Sequence, residues 1–454
     1  MNNEEILAQI LSLVEEKRYI KAREALLLNN EVDIAEILEE IMEELGVDKT
    51  IILFRTLPKD VSVEVFSHLP IDDQIKIINA ITDKEIRYIL DEMSFDDMID
   101  ILEELPANVV DKILEKTPKE ERKQINTFLN YPDNCAGSLM TPEYISLQKE
   151  MTVAQALEHI KKEGMDSETI YTCYVKVQGR KLEGTVSLKS LVIAESSQTI
   201  AELMQENPVY VNVYDDKEDV SDVFKRYDFL AAPVVDKEKR LVGIITVDDI
   251  LDVIEEEATE DFERMAGVID RTDLDYLDIS AWAHVRNRLP WLFILMCSYI
   301  ITGGIIRNFE GGLSQVISLV AYMPMLMGTG GNSGSQSATL VIRGIALNHI
   351  MLKDFGKVFW KEIRVSFTIG LLLSALNFAR VCWLDGEGPF IALTVCCSML
   401  VIVMAAKSIG SMLPLLAKKV GIDPALMANP MISSITDMVS VGTYFMLARF
   451  ILGI

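Results

Sequence analysis

Five long stretches with almost no charge occupy the C-terminal part of the chain and constrain its fold more than any other feature. They are residues 289–306, 311–342, 365–384, 388–406 and 424–448. Only the third and the fifth contain a charged residue, Arg380 and Asp437 respectively. An apolar stretch of ~20 residues crosses the hydrocarbon core of a membrane as a helix. The sequence therefore predicts an all-α transmembrane domain of five helices over residues 285–454.

The charge of the chain is divided unevenly between its two parts. The net charge is −26, with about +6 in residues 281–454 and therefore −32 in the first 280. Such an acidic surface argues against a nucleic-acid partner, which requires clustered Lys and Arg. The acidic N-terminus is unlike a signal peptide, so we expect a cytoplasmic N-terminal part. The positive-inside rule agrees, and five spans then leave the C-terminus outside a multi-pass protein of the cell membrane, in contact with lipid.

Residues 1–130 consist of short amphipathic segments separated by Leu-Pro pairs. Examples are Leu57-Pro58, Leu69-Pro70 and Leu105-Pro106. Proline tends to end one helix or to open the next. The pattern predicts an acidic, all-α superhelical domain, with an ordinary helical bundle as the alternative.

Residues 131–262 contain an internal repeat, with copies at about 139–200 and 203–262. Strand-like runs interleaved with helical ones predict a small α/β module used twice, and the pattern resembles a tandem CBS pair. In such modules a Thr-x-x-Asp stretch can hold a ribose. Thr246 and Asp249 match this pattern in the second copy, which makes ATP a candidate ligand, whereas Ser187 and Ser190 in the first copy supply no carboxylate.

Asp437 is the strongest candidate for function because it stands near the middle of the last apolar stretch. A carboxylate in hydrocarbon costs several kcal/mol or more, so it should face a polar cavity. The alternative is a structural ion pair with a buried base such as Lys407. Asn429 and Ser433 precede Asp437 on the same helical stripe, and Asp423 lies nearer the cytoplasmic end.

The donors around Asp437 are oxygen atoms only, which suits a hard cation. Mg²⁺ keeps much of its water and is held by one or two carboxylates. One Asp per chain is little for a divalent ion, whereas a homodimer would supply two, and dimers are the commonest assembly. Co²⁺, Mn²⁺ and Ni²⁺ remain open as further divalent substrates.

The second apolar stretch carries a run of small and polar residues. The members of interest are Gly330, Gly331, Asn332, Gly334 and Gln336. Small residues in a membrane helix permit either close packing or a broken helix beside a cavity. The two amides, four residues apart, could link helices or hydrate a pore.

Two sequence motifs and the order of the parts carry a family resemblance. The segments MPMLMGTGGNSGSQSATLVIRG and GIDPALMANPMISSITDMVSVGTYF resemble those of the MgtE magnesium-transporter family. The resemblance implies a homodimeric Mg²⁺ channel in which Asp437 binds the hydrated ion, with Asn429 and Ser433 close by. It also implies that Glu362 and Asp423 lie near the pore mouth.

An acidic connecting (plug) helix is predicted over residues 249–280. Like charges at helical spacing repel one another unless a cation screens them, although a solvated acidic face is the usual interpretation. We hypothesise that cytoplasmic Mg²⁺ bridges carboxylates of the helical domain, the CBS pair and this helix, and so closes the pore. The candidate regulatory residues are Asp96, Asp100, Asp216, Asp228, Asp248, Asp249, Asp252, Glu256, Glu257, Glu260 and Asp261.

Two other functions are compatible with the same sequence. One is a secondary carrier that exchanges a divalent cation for Na⁺ or H⁺, and the other is a nonconducting membrane sensor built on the CBS pair. An enzyme is not expected, because the chain has only four His and contains no nucleophile elbow, P-loop or metal-hydrolase motif.

Overall fold

The chain divides into two compact units, Met1–Ile254 and Glu255–Ile454. The computed structural model describes residues 3–268, 276–277, 279–309, 318–427 and 429–453. The first unit contains a helical domain followed by a paired α/β module, and the second unit consists of long helices. The predicted multidomain fold is confirmed at this level.

Ten short helices, α1 to α10, begin the first unit. They are Asn3–Glu15, Tyr19–Leu26, Glu31–Leu45, Val47–Phe54, Lys59–Ser67, Ile71–Ala80, Asp83–Glu92, Phe95–Glu104, Ala107–Lys116 and Lys119–Phe128. Pro58, Pro70, Pro106 and Pro118 each stand immediately before a helix. Because proline has a fixed φ and no N–H, it suits the first positions of a helix. The Leu-Pro pairs therefore mark where helices open.

Helices two apart in the sequence pack against each other, as α4 does with α6, α5 with α7 and α6 with α8. One continuous apolar core runs through this stack, and Leu38, Phe66 and Ile77 are fully buried within it. Each helix thus buries one apolar stripe against neighbours on both sides. The superhelical arrangement expected for this domain is confirmed.

The paired module contains two small sheets of matching order. In the first, β1 (Tyr144–Leu147) is parallel to β2 (Thr169–Lys176), which is antiparallel to β3 (Leu182–Ser187), and β4 (Gln205–Glu206) completes the edge. In the second, β5 (Val211–Asn212) is parallel to β6 (Ala231–Val235), which is antiparallel to β7 (Leu241–Thr246). The helices are α11 (Val153–Glu163), α12 (Leu188–Ile193), α13 (Ile200–Leu203) and α14 (Lys217–Tyr227). The repeat read in the sequence is therefore a structural repeat.

A close backbone contact joins the two copies. Thr141 and Ile244 exchange both backbone hydrogen bonds, each 2.8 Å long. A β-carbon on the neighbouring Gly243 would lie 2.8 Å from the Thr141 carbonyl oxygen. The glycine of the second copy thus permits the first copy to approach its β-strand.

The chain then continues as α15 (Val247–Ala266) and five long helices. These five are α16 (Ala281–Asn308), α17 (Ser318–Ala346), α18 (Phe355–Trp383), α19 (Pro389–Val420) and α20 (Asn429–Leu452). Four of them, including short helical extensions of α18 and α20, are long and apolar enough to cross a membrane. The exception, α17, has 29 residues, but its glycines and polar residues make it less apolar.

The helices extend beyond the uncharged stretches that predicted them. The first begins at Ala281 rather than 289, the third at Phe355 rather than 365, and the fourth continues from 406 to Val420. The start of the predicted second span, 311–317, lies outside the described residues. Long basic side chains can keep their charge in water while their stems cover apolar surface, so a charged residue does not end a membrane helix.

The small residues of α17 bring it against α19 and α20. Gly410 of α19 lies so close to Gly334 of α17 that a β-carbon on Gly410 would overlap the Gly334 carbonyl oxygen. On the other side, the Tyr444 hydroxyl donates to the Leu319 carbonyl oxygen at 2.9 Å. Close backbone approach of this kind is a general way for membrane helices to associate.

We expect Gly410→Ala to destabilise the second unit, because the new methyl group has to displace the α17 backbone. Overpacking of this kind costs ~1–3 kcal/mol, so the melting temperature of the detergent-solubilised protein should fall. Gly328→Ala is the matched control, since a β-carbon there meets nothing within 4 Å. Equal melting temperatures for the two variants would contradict this packing.

Candidate cation pathway and acidic cluster

Asp437 lies on α20 with its side chain half-buried. It forms no ion pair or hydrogen bond with another described residue. The Lys407 ammonium, its possible structural partner, instead donates to Ser337 Oγ at 3.3 Å. The carboxylate is therefore placed within the second unit without a fixed positive charge from the described part of the chain.

Two hydroxyl groups lie one turn to either side of Asp437. Ser433 faces Gly331 of α17, where a β-carbon would lie 3.5 Å from Ser433 Oγ. Ser440 faces Gly330, and its buried hydroxyl oxygen has no hydrogen-bond partner among the described residues. The glycines therefore place the backbone of α17 directly beside the polar stripe that contains Asp437.

The run of small residues in α17 acts through packing rather than through a break in the helix. The helix is continuous from Ser318 to Ala346, and Gly330, Gly331 and Gly334 are all buried. In contrast, the side chains of Asn332 and Gln336 are exposed on the single chain. Neither amide links helices within the described part, so the predicted helix-linking role does not apply there.

Asp423, between α19 and α20, accepts hydrogen bonds from both sides. The Ala425 N–H donates to its Oδ1 at 2.8 Å, and Arg264 Nη1 donates to its Oδ2 at 2.6 Å. Arg264 also pairs with Glu260, one turn earlier on α15. Burial raises the pKa of the adjacent Asp261, and the charge of Asp423 raises it further. The end of α15 is thus tied to Asp423 by an arginine.

The remaining pore candidates are Glu362 and Asn429. Glu362 is half-buried on α18 and accepts a hydrogen bond from Ser337 Oγ at 2.7 Å. Asn429 is the first residue of α20, but its side chain lies outside the described part of the structure.

A separate group of carboxylates lies in the first unit, where α8, the start of β1, the start of β2 and the start of α15 come together. We call it the acidic cluster, and its members are Asp96, Asp97, Asp100, Glu143, Glu168, Asp248 and Asp249. The neighbours whose charges act on these groups are mostly other carboxylates. The cluster is therefore held together against its own repulsion.

Asp96 is central to this cluster. Desolvation, and after it the charge of Asp96, raise the pKa of Glu143 and of Glu168 to about 7. Desolvation and Asp96 likewise raise the pKa of Asp249 to about 7, although a hydrogen bond from Thr246 opposes the shift. Asp100 reaches solvent, yet desolvation by neighbouring atoms and the charge of Asp96 raise its pKa to about 7.

Among the described residues no three carboxylate, histidine or cysteine side chains converge closely enough to enclose a metal ion. A hydrated Mg²⁺ needs only one or two direct carboxylates and contacts the others through its waters.

The sequence identified only part of this cluster. Asp96, Asp100, Asp248 and Asp249 were predicted from charge density. The sequence does not indicate Glu143 and Glu168, because each stands immediately before a strand and outside the acidic helical runs. Their backbones are joined by a hydrogen bond from Glu168 N–H to the Glu143 carbonyl oxygen at 2.9 Å, a tertiary pairing that no local pattern reveals.

Other predicted regulatory residues lie elsewhere. Asp216 caps the N-terminus of α14 by accepting from the Glu218 N–H, and Asp228 ends that helix in a left-handed conformation. Asp252, Glu256 and Glu257 follow along α15, and each interacts with another residue. Asp216 and Asp228 therefore have a structural role at the two ends of α14.

The ribose-binding candidates are engaged with each other. The Thr246 hydroxyl, which is buried, donates to Asp249 Oδ2 at 2.7 Å. In the first copy, the Ser187 and Ser190 hydroxyl groups lie 2.8 Å apart. Asp249, the only carboxylate among these four residues, thus belongs to the acidic cluster.

Family models match most of the chain. A model described as the MgtE intracellular N domain matches residues 29–134, two CBS domains match 136–197 and 200–256, and a divalent cation transporter model, MgtE, matches 323–447. The magnesium transporter MgtE of Thermus thermophilus is 41% identical over 331 residues, which is 73% of each chain. That of Enterococcus faecalis is 34% identical over 72% of each.

Solved structures resemble the first unit. The cytosolic domain of the Mg²⁺ channel MgtE in complex with ATP is 33% identical, with a TM-score of 0.51, and the similarity covers 54% of this chain and 99% of that one. The soluble part of a magnesium transporter is 31% identical and has the same TM-score. The similarity covers 57% of this chain and 100% of that one. With the family models and the identity to whole-length relatives, these similarities show that the chain belongs to the MgtE family of divalent cation transporters.

Proposed function

We propose that this protein transports Mg²⁺ across a membrane along a pathway beside Asp437. The observation that carries the proposal is a half-buried carboxylate that makes no ion pair with a described residue, on a helix of the membrane unit. Such a charge is stable only beside water, a partner or a cation. The relatives named as magnesium transporters support Mg²⁺ as the ion.

A homodimer completes this pathway. Exposed amides such as Asn332 and Gln336 are costly on a membrane helix unless a second chain or a water-filled space faces them. Two copies of the chain would line a shared pore and bring together two Asp437 carboxylates, enough for a hydrated divalent ion. Asn429, Ser433, Glu362 and Asp423 are further candidates along this path.

The acidic cluster is the proposed sensor of cytoplasmic Mg²⁺. Its carboxylates repel one another, so a cation that neutralises them favours the compact arrangement of the helical domain and the CBS pair. The connecting helix, which carries Asp248 and Asp249 in its first turn, would transmit this state to the pore and close it. Repulsion at low Mg²⁺ would separate the parts and open the pore.

The proposed arrangement assigns each part of the chain a place. Residues 1–130, 131–262 and the connecting helix 249–280 lie in the cytoplasm, and residues 285–454 cross the cell membrane with the C-terminus outside. Excess Lys and Arg near the predicted cytoplasmic ends supports this orientation.

ATP has no part in the mechanism that we propose for this chain. The cytosolic domain of the Mg²⁺ channel MgtE, one of the similar solved structures, is in complex with ATP. The residues described here do not fit a ribose, because Thr246 is buried and bonded to Asp249, and Ser190 supplies no carboxylate. No step of the proposed mechanism therefore involves a nucleotide.

We expect Asp437→Ala to abolish Mg²⁺ flux into liposomes that contain the purified protein. Removing one charge-assisted contact to the ion costs at least ~1.5–3 kcal/mol, so the rate should fall at least tenfold. Asp354→Ala is the control, since that carboxylate pairs with Lys357 at the N-terminal end of α18. Full flux through a well-folded Asp437→Ala protein would refute the assignment.

The same assay distinguishes the channel from a carrier. We expect flux to persist at constant voltage after the H⁺ and Na⁺ gradients are removed. A collapse of flux under those conditions would instead support exchange. The absence of any ion flux would support a nonconducting sensor.

We expect Mg²⁺ to stabilise the protein more at pH 8 than at pH 5. Asp100, Glu143, Glu168 and Asp249 have pKa values raised to about 7, against ~4 in the unfolded chain. Their contribution to stability is complete below pH ~4 and is lost as the pH rises through ~7, above which all four are charged. Mg²⁺ can neutralise these carboxylates only when they are charged, so its stabilising effect should be larger at pH 8 than at pH 5.

Melting temperature of the full-length protein with and without Mg²⁺ at the two pH values tests this. Asp96→Asn should raise the melting temperature without Mg²⁺ at pH 8 and reduce the effect of adding it, because it removes the central charge. Asp91→Asn, on α7 and paired with Arg87, serves as the control. A Mg²⁺ effect that is independent of pH and of Asp96 would contradict the sensor proposal.

A further inference from the structure

A lysine is buried inside the membrane unit. Lys407 lies on α19 with only 4% of its surface exposed. Its ammonium group donates to the hydroxyl of Ser337, which is 1% exposed, at 3.3 Å. Burying an ammonium ion is costly unless a negative charge and hydrogen bonds compensate it. The position therefore requires a nearby carboxylate.

That carboxylate is Glu362, reached through the serine. Ser337 Oγ lies 2.7 Å from Glu362 Oε2, to which it donates while it accepts from the lysine. A hydroxyl group has one donor and two acceptor sites, so it can do both at once. Ammonium, hydroxyl and carboxylate thus form a net-neutral chain across α19, α17 and α18.

This chain lies in the wall of the proposed pathway. Ser337 is one helical turn beyond Gly334, and Gly334 follows Gly330 by about one turn on the buried face of α17. Gly330 in turn faces Ser440, one turn from Asp437. Lys407 itself precedes Gly410, the residue of closest contact with α17. The polar chain and the stripe of Asp437 therefore share one packed surface of α17.

We propose that Lys407 is a tethered cation that competes with the transported divalent ion for Glu362. This inference rests on the proposed function. A pathway conducts only if each site binds an ion weakly enough to release it. A half-buried carboxylate without a counter-charge would hold a divalent cation strongly. The Lys407 ammonium group, held one hydroxyl away, compensates the charge of the Glu362 carboxylate as the divalent ion departs. It therefore speeds release of the ion.

The kinetic signature of this role is specific. Lys407→Met removes the competitor, so release of the ion from Glu362 slows. Slower release with unchanged entry lowers the maximal rate and the KM by the same factor, and their ratio stays constant. We expect both to fall roughly tenfold, as for the loss of one hydrogen bond to a charged group. A loss of folded protein would instead lower the maximal rate alone.

Three further variants test the charge itself. Lys407→Gln keeps a donor for Ser337 without the charge and should behave like Lys407→Met, which covers the case that the latter fails to fold. Lys407→Arg keeps the positive charge and should therefore show the kinetics of the parent protein. Glu362→Gln added to Lys407→Met should raise the KM again, because the carboxylate that retains the ion is gone. Ser411→Ala, one turn away and bonded only to the Ser408 carbonyl oxygen among the described residues, is the matched control.

Mg²⁺ uptake into liposomes over a range of external concentrations gives the maximal rate and the KM for each variant. Parallel falls in Lys407→Met and Lys407→Gln, reversed by Glu362→Gln, support the proposal. An unchanged KM in both, or no reversal, overturns it and leaves Lys407 as a structural brace. Flux that survives Asp437→Ala would refute the proposed pathway instead, so the two failures are distinguishable.

Discussion

The need of a buried carboxylate for positive charge is the constraint on which both units of this protein depend. Removing a charged group from water is expensive, and the protein must supply a counter-charge, hydrogen bonds or a mobile ion. Asp423 receives Arg264, and Glu362 receives Lys407 through Ser337. Asp437 receives no ion pair from the described residues. The contrast separates Asp437, whose charge only water or an ion can meet, from Asp423 and Glu362, which a basic side chain of the chain also serves.

Close helix packing makes this separation possible. The glycines of α17 let its backbone approach α19 and α20, so that few side chains stand between the polar groups of three helices. The same surface of α17 presents Gly331 to Ser433 and carries Ser337 to Lys407. In the first unit, the pairing of β1 with β2 brings Glu143 and Glu168 beside α8. Packing thus determines which charges have to share a space.

Much of the fold was predictable from local sequence, because its signals are local. Leu-Pro pairs opened helices as expected, and long apolar stretches identified the membrane helices. The predicted ends of the spans were wrong where a charged residue was taken as a boundary. The fourth span was predicted to end before Lys407, whereas the helix continues to Val420 with the lysine buried inside it. A lysine can end a span or lie within it, and only its neighbours on other helices decide which.

The candidate sites were predictable to a lesser degree. Asp437 could be identified because a single charged residue in an apolar stretch is evident from the sequence alone. The acidic cluster was half visible, since Asp96 and Asp249 lie in charged runs, whereas Glu143 and Glu168 contribute only through strand pairing. Likewise, no spacing rule links Ser337, Glu362 and Lys407, which come from three helices. Sites built by tertiary contact between isolated residues have no sequence period to reveal them.

The central claim is that a water-clad divalent cation occupies the space that the chain leaves beside Asp437. The most direct measurement is the anomalous scattering of Mn²⁺, in place of Mg²⁺, in crystals of the full-length protein. We expect an anomalous peak near the Asp437 carboxylate, separated from it by ordered water, and its loss in Asp437→Ala crystals. A carboxylate that faces lipid or pairs with a base from a partner chain, with no peak nearby at saturating Mn²⁺, would contradict it.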